Sequence, residues 1–136
     1  MKVQRSAERR PQPVDPSHFT GRVWLAPMLD PDAPDHMTVA EVTFEPGART
    51  HWHRHPGGQT LLPLSGRGRI RSDGGALQSM QVGDALYIPP GERHWHGADP
   101  DAFLVQLSIT IGDGTAWEDE PVSDADYLGS ETTPAR

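Results

Sequence analysis

Residues 52–100 read WHRHPGGQTLLPLSGRGRIRSDGGALQSMQVGDALYIPPGERHWHGADP, and this stretch decides the fold. Its apolar runs are only a few residues long, and turn-forming groups interrupt them: Pro56-Gly57-Gly58, Asp73-Gly74-Gly75 and Pro89-Pro90-Gly91. Proline fixes φ and glycine accepts positive φ, so each group predicts a turn. Short runs between frequent turns predict an all-β sandwich or barrel, because helices need long stretches of 3.6-residue period, which are absent. Working outward, the predicted strands are 21–28, 37–44, 50–55, 59–65, 68–72, 76–80, 84–88, 93–96 and 102–111.

Two of these strands carry informative faces. In 37–44, Ala40, Val42 and Phe44 share one face, a small apolar wall, and Val39, Glu41 and Thr43 share the other. In 102–111, Phe103, Val105, Leu107, Ile109 and Ile111 form an uninterrupted apolar face, expected to pack against another layer. Gln106, Ser108 and Thr110 then point to solvent or into a wet pocket. Ser123, with Asp126 three residues on, predicts the N-cap of a short C-terminal helix.

A chain of 136 residues fits one domain. Its expected parts are an N-terminal arm over 1–17, a barrel over 18–122, and a helical turn with a polar tail over 123–136. The arm lacks a periodic apolar face and is expected to be disordered or laid on a partner subunit. Nineteen acidic against twelve basic residues give a formal charge of −7, which repels phosphate backbones and anionic lipid, so neither nucleic acid nor membrane is expected as a partner. Cysteine is absent, which excludes disulfides, thiolate metal ligands and thiol nucleophiles. With no apolar run near 20 residues and no secretory pattern at the N-terminus, a soluble cytoplasmic protein is the default expectation.

Five of the seven histidines fall in two clusters, His51, His53 and His55, then His94 and His96. Residues two apart in a strand share a face, so His53 and His55 point one way together, as do His94 and His96. A single histidine is most often a surface or hydrogen-bonded residue. Two clusters at strand spacing make convergence possible from either one. His51 precedes the pattern and is expected to be solvated or displaced by a bulge. Trp52 and Trp95 alternate with the histidines and are expected to face outward, into a second layer or a subunit interface.

The spacing around the clusters is G-x5-H-x-H-x3-Q-x6-G at Gly47, His53, His55, Gln59 and Gly66, then G-x5-P-x-G-x2-H at Gly83, Pro89, Gly91 and His94. This resembles the two motifs of the cupin superfamily. The resemblance implies an all-β cupin barrel, a double-stranded β-helix of jelly-roll type, with a short C-terminal helical segment. It also implies one divalent metal per chain, held by His53, His55, Gln59 and His94. Gln59 stands where most cupins have glutamate, and Ala98 where the second motif has asparagine. Replacing a carboxylate with an amide leaves the ion's charge less compensated and the site more attractive to anions. Manganese is the favoured metal on resemblance, then iron, with nickel, cobalt and zinc as alternatives.

The elements Trp52–Thr60 and Pro90–Gly97 further resemble the small bacterial cupins with hydroxynitrile lyase activity, relatives of carboxymuconolactone decarboxylase-like cupins. That resemblance implies reversible cleavage of an aromatic cyanohydrin such as mandelonitrile to aldehyde and hydrogen cyanide. His96 would be the general base, with an unperturbed pKa suited to proton transfer near neutral pH. Ala40, Val42, Gln106 and Thr110 would line the substrate pocket. A homodimer is expected by analogy. Two further functions remain open: a metal-dependent dioxygenase or decarboxylase on a small aromatic or enol substrate, and a cupin that binds a small molecule without turnover.

Overall fold

The short apolar runs fold into strands, and the turns between them fall where proline and glycine predict. The computed structural model describes residues 1–29 and 36–129. Among these the strands are β1 (Gln12–Pro13), β2 (Phe19–Thr20), β3 (Val23–Met28), β4 (Met37–Phe44), β5 (Arg49–Thr50), β6 (His53–Arg54), β7 (Gln59–Ser72), β8 (Gln78–Gln81), β9 (Leu86–Ile88), β10 (His94–Ala98), β11 (Leu104–Ile111) and β12 (Ala116–Trp117). One 3-10 turn, Ser6–Glu8, and one helix, α1 (Asp124–Tyr127), complete the described elements. The result is a curled cupin barrel, and Ser123 caps α1 by accepting from Asp126 N at 3.1 Å. Part of the expected tail, 130–136, lies outside the described residues.

The strands run in the order β1-β3-β4-β11-β7-β10-β5-β2, with β7 shared by both walls. Its first half pairs with β11 and β9, and its second half with β10 and β8. The two strands expected over 59–65 and 68–72 are therefore one. Gly66 allows the continuity: it sits at φ +76°, and a Cβ there would lie 1.9 Å from the carbonyl oxygen of Phe103. Conversely, the strand expected over 50–55 is two, because the chain leaves the ladder at His51 and Trp52.

The barrel's dry core is Val23, Val42, Phe44, Leu61, Ile70, Met80, Ile88 and Leu104. Phe44, Leu61, Met80 and Leu104 are completely buried, each worth about 1.5–3 kcal/mol relative to exposure. A second cluster forms on the opposite side of β10 from Leu77, Trp95, Val122 and Tyr127, with Trp52 partly buried against it. Trp95 thus faces away from the histidines as expected, but the layer it meets belongs to its own chain.

On β11 the polar face turns to the interior cavity, one of its two expected places, but the apolar face is left partly exposed instead of packed under a further layer. Gln106 and Ser108 turn inward and are buried, whereas Phe103 and Ile111, just before the strand and at its end, are 46% and 42% exposed. The polar face supplies hydrogen-bonding groups to the interior, so burying it strands few donors. The N-terminal segment lies on its own barrel: β1 pairs with β3, and the Arg9 guanidinium meets Glu41 at 3.0 Å. No helix among the described residues is long and apolar enough to cross a membrane.

Candidate metal centre

The histidine clusters meet because β6 and β10 pair, with His53 opposite His94. Their ring centroids are 4.2 Å apart, and His55 joins them at 4.9 Å from His53 and 5.5 Å from His94. His96, two residues along β10, lies 5.4 Å from His53 and 5.9 Å from His94. One ring nitrogen from each of His53, His94 and His96 falls within 4.8 Å of the others. By ring separation His55 is the nearer third member, whereas by donor-atom distance it is His96 that joins His53 and His94.

His53 donates from Nδ1 to the carbonyl of His51 at 2.9 Å, and His94 donates from Nδ1 to the carbonyl of Glu92 at 2.9 Å. A carbonyl only accepts, so in both rings the proton sits on Nδ1 and the Nε2 lone pair is free. The Nε2 of His94 then faces Gln59 Oε1 at 3.1 Å, two lone pairs confronting each other. Gln59 donates from Nε2 to the hydroxyls of Ser108 at 2.9 Å and Thr110 at 3.2 Å. His55 has Thr115 Oγ1 at 3.2 Å from Nδ1, while its Nε2 is buried without a partner. Two imidazole lone pairs, an unpartnered Nε2 on a third ring and an amide carbonyl form a buried donor set that fits a divalent cation.

Ionisation agrees with that fit, because a metal-binding imidazole must be neutral. Burial, followed by the neighbouring His94, lowers the His55 pKa to about 4. Burial also lowers His94. His53 is held well below the ordinary imidazole range by burial, then by His94 and His96; His96 likewise by burial, then by His94 and His55.

Beside the histidines lies a cavity of about 190 Å³, lined by Ala40, Val42, Phe44, Thr50, His53, His55, Gln59, His96, Ser108 and Thr110, with Phe19, Leu25, Thr38, Thr115 and Trp117 completing it. It is smaller than the roughly 300–1,000 Å³ of pockets for drug-sized ligands, so it suits a compact substrate. Ala40, Val42 and Thr110 sit on its wall. Gln106 does not: it lies behind His96, with its amide nitrogen 3.1 Å from His96 Nδ1. The reason is depth, since same-face residues are roughly 7 Å apart along a strand. Gln106 is two such steps from Thr110.

Two aromatic walls had no sequence signal. Trp117 on β12 pairs with His53 and tilts over its ring at 4.5 Å, and it stacks on His18 at 4.7 Å. Phe19 packs against Trp117 at 5.3 Å. Both come from two-residue strands too short to show alternation. His51 is displaced from the ladder as expected, but it is buried rather than solvated, donating from Nδ1 to the carbonyl of Glu118 at 2.9 Å. The break in the strand turns it toward the C-terminal segment instead of the ion site.

With fold and site in view, comparison with known proteins places the chain. A cupin domain model matches residues 40–110, and the chain belongs to the cupin family. Among characterised relatives, the (R)-mandelonitrile lyase of Granulicella tundricola is 43% identical over 112 residues, 80% of this chain and 85% of that one. The crystal structure of a cupin-like protein from Thermotoga maritima superposes with a TM-score of 0.83 at 37% identity, covering 87% of this chain and 91% of the other. The polyketide cyclase RemF from Streptomyces resistomycificus shares the fold alone, with a TM-score of 0.75 at 21% identity over 93% of this chain and 90% of its own.

Proposed function

We propose that this cupin is a metal-dependent lyase that reversibly cleaves aromatic cyanohydrins such as mandelonitrile to aldehyde and hydrogen cyanide. The observation that carries this reading is the similarity to a mandelonitrile lyase across four-fifths of the chain, coinciding with convergent lone pairs beside a small, partly apolar cavity. His53, His55, Gln59 and His94 would hold one divalent ion, with manganese first in order of expectation and iron next. When bound, the ion supplies Lewis-acid stabilisation of charge developing on the substrate, a contribution of several kcal/mol.

The remaining work falls to the chain's own side chains. Ala40, Val42, Leu25 and Phe44 present apolar surface to the aromatic group, and Phe19 and Trp117 offer ring faces. The hydroxyls of Thr110 and Ser108 hold Gln59 through its amide nitrogen. His96 borders the cavity outside the proposed ligand set, and we assign it to the substrate's polar group. Homodimerisation belongs to the same proposal by resemblance to small cupins, and sedimentation equilibrium tests it.

The deciding experiment is mandelonitrile cleavage by protein of measured metal content, with the metal-stripped form and His96→Ala alongside. Turnover proportional to bound metal, with a large loss in His96→Ala, supports the lyase. Absence of turnover at one metal per chain, with oxygen consumed on an aromatic acid, moves the function to oxygenase chemistry.

A further inference from the structure

Gln106 is completely buried, with its side-chain Nε2 3.1 Å from His96 Nδ1 and its Oε1 buried without a partner. Turned end for end, the amide would offer its carbonyl to the ring and leave its NH2 group stranded. The two arrangements do not cost the same. With the NH2 toward the ring, the carbonyl and one N–H go unmet, whereas the reverse leaves two N–H donors unmet, and orphaned buried donors are rarer than under-used carbonyls. The arrangement with N–H toward the ring is therefore the cheaper one, and it requires a lone pair on Nδ1.

We infer that Gln106 is a positioning residue that holds His96 with its proton on Nε2, so that His96 presents an N–H rather than a lone pair to the cavity. His96 borders that cavity, and with Nδ1 engaged by Gln106 its Nε2 is the nitrogen left to meet a ligand. His53 and His94 are set in the opposite sense, because their Nδ1 atoms face carbonyls. Nearby imidazoles of one cluster are thus divided by their outer partners into lone-pair donors and a proton-bearing donor. This division keeps His96 out of the ion's ligand set despite its proximity, and it replaces the general base expected from sequence with a hydrogen-bond donor. The group it recognises is a lone-pair or anionic end: the nitrile nitrogen of a cyanohydrin, if the lyase reading holds. No proton changes hands in this role.

The test is nitrogen-15 NMR of the histidine side chains, on metal-free protein and on protein loaded with diamagnetic zinc. The expected spectrum gives His96 a pyrrole-type Nε2 and a pyridine-type Nδ1. In Gln106→Glu, whose carboxylate only accepts, the two assignments exchange. A pyrrole-type Nδ1 in the native protein, or an unchanged pattern in Gln106→Glu, overturns the inference. If Gln106→Glu does not fold, the native spectrum decides alone. Mandelonitrile turnover is measured separately, so the expected tautomer without turnover defeats the lyase reading and leaves the role of Gln106 standing.

Discussion

The two faces of β10 are both buried, yet they are built to opposite specifications. On the inner face, His94 and His96 sit among polar atoms that lack partners: Gln106 Oε1, His55 Nε2, and a Gln59 carbonyl aimed at a lone pair. On the outer face, Trp95 packs with Tyr127 at a ring separation of 5.8 Å. There Tyr127 is tied down by its neighbours, although Trp95 Nε1 and Arg49 Nε are themselves buried without partners. The Tyr127 hydroxyl donates to the Ala98 carbonyl at 2.5 Å, the Arg49 guanidinium lies 4.3 Å from its ring, and Arg49 donates to Val122 O at 2.9 Å and Asp124 Oδ1 at 2.7 Å. A strand of five residues therefore carries an aromatic packing cluster on one side and converging histidines on the other. Buried polar groups without partners are costly on either face, and the inner face is set apart because His53, His55, Gln59 and His96 line one cavity.

The comparison can be broken most easily at Trp95. Trp95→Ala is expected to destabilise the fold by about 3–5 kcal/mol, as truncation of a fully buried tryptophan does. The denaturation midpoint reads this, while the folded fraction keeps its metal. Full stability would show that the outer cluster does not hold the barrel together.

His53→Ala addresses the inner face. Metal affinity is expected to fall by at least about 10–100-fold, the loss typical even of an outer partner to a ligand. Metal-free stability should move far less than in Trp95→Ala. Isothermal titration with the metal, beside thermal unfolding of the stripped protein, separates these effects, and unchanged affinity would remove His53 from the ligand set.

Tyr127→Phe sharpens the contrast, with an expected cost of about 1–2 kcal/mol from the lost hydroxyl bond and the carbonyl it leaves. Burial raises the Tyr127 pKa to about 12 from an ordinary value of 10. The folded state therefore holds its proton longer than the unfolded one. The corresponding stability is full below pH 10 and is lost as pH rises through about 12. Alkaline unfolding, compared between native protein and Tyr127→Phe, checks the sign.

The smallest effect belongs to Glu118, whose carboxylate accepts from Arg93 Nε at 2.5 Å and Arg93 Nη2 at 2.8 Å. Those bonds lower its pKa, so their stabilisation is present above the ordinary carboxylate value and fades as pH falls through the lowered one. Glu118 is 39% exposed and solvent screens the pair, so Glu118→Gln should cost under about 1 kcal/mol. Chemical denaturation at neutral and at acidic pH is the check, and a larger neutral-pH loss would tie the pair into the Trp52 side of the outer cluster.

Local pattern explains what was legible from sequence. Alternation put His53 with His55 and His94 with His96 on shared faces, and the motif resemblance added Gln59 and joined the two clusters. Long-range arrangement explains the rest. Alternation assigns a face but not a depth, which is why Gln106 reads like Thr110 yet ends behind His96 instead of on the cavity wall. The outward turn of β11's apolar face depends on where β4 and β7 place the interior. Trp117 and Phe19 reach the site through strands of two residues, which carry no period to read. Strand β7 is continuous across the gap expected between 65 and 68, where the positive φ of Gly66 serves a close approach to Phe103.

The turn at Asp73-Gly74-Gly75 leaves β7 on one side and β8 on the other, and a Cβ at Gly74 would touch nothing within 4 Å. That exposed corner divides His53, His55 and Gln59 from His94 and His96. A chain cut there would yield one fragment with three of the proposed ligands and one with the fourth, and neither would be expected to bind the ion as the whole does. Metal uptake would then be a reporter of reassembly: a split pair in which coordination becomes measurable only when β7 and β10 find each other.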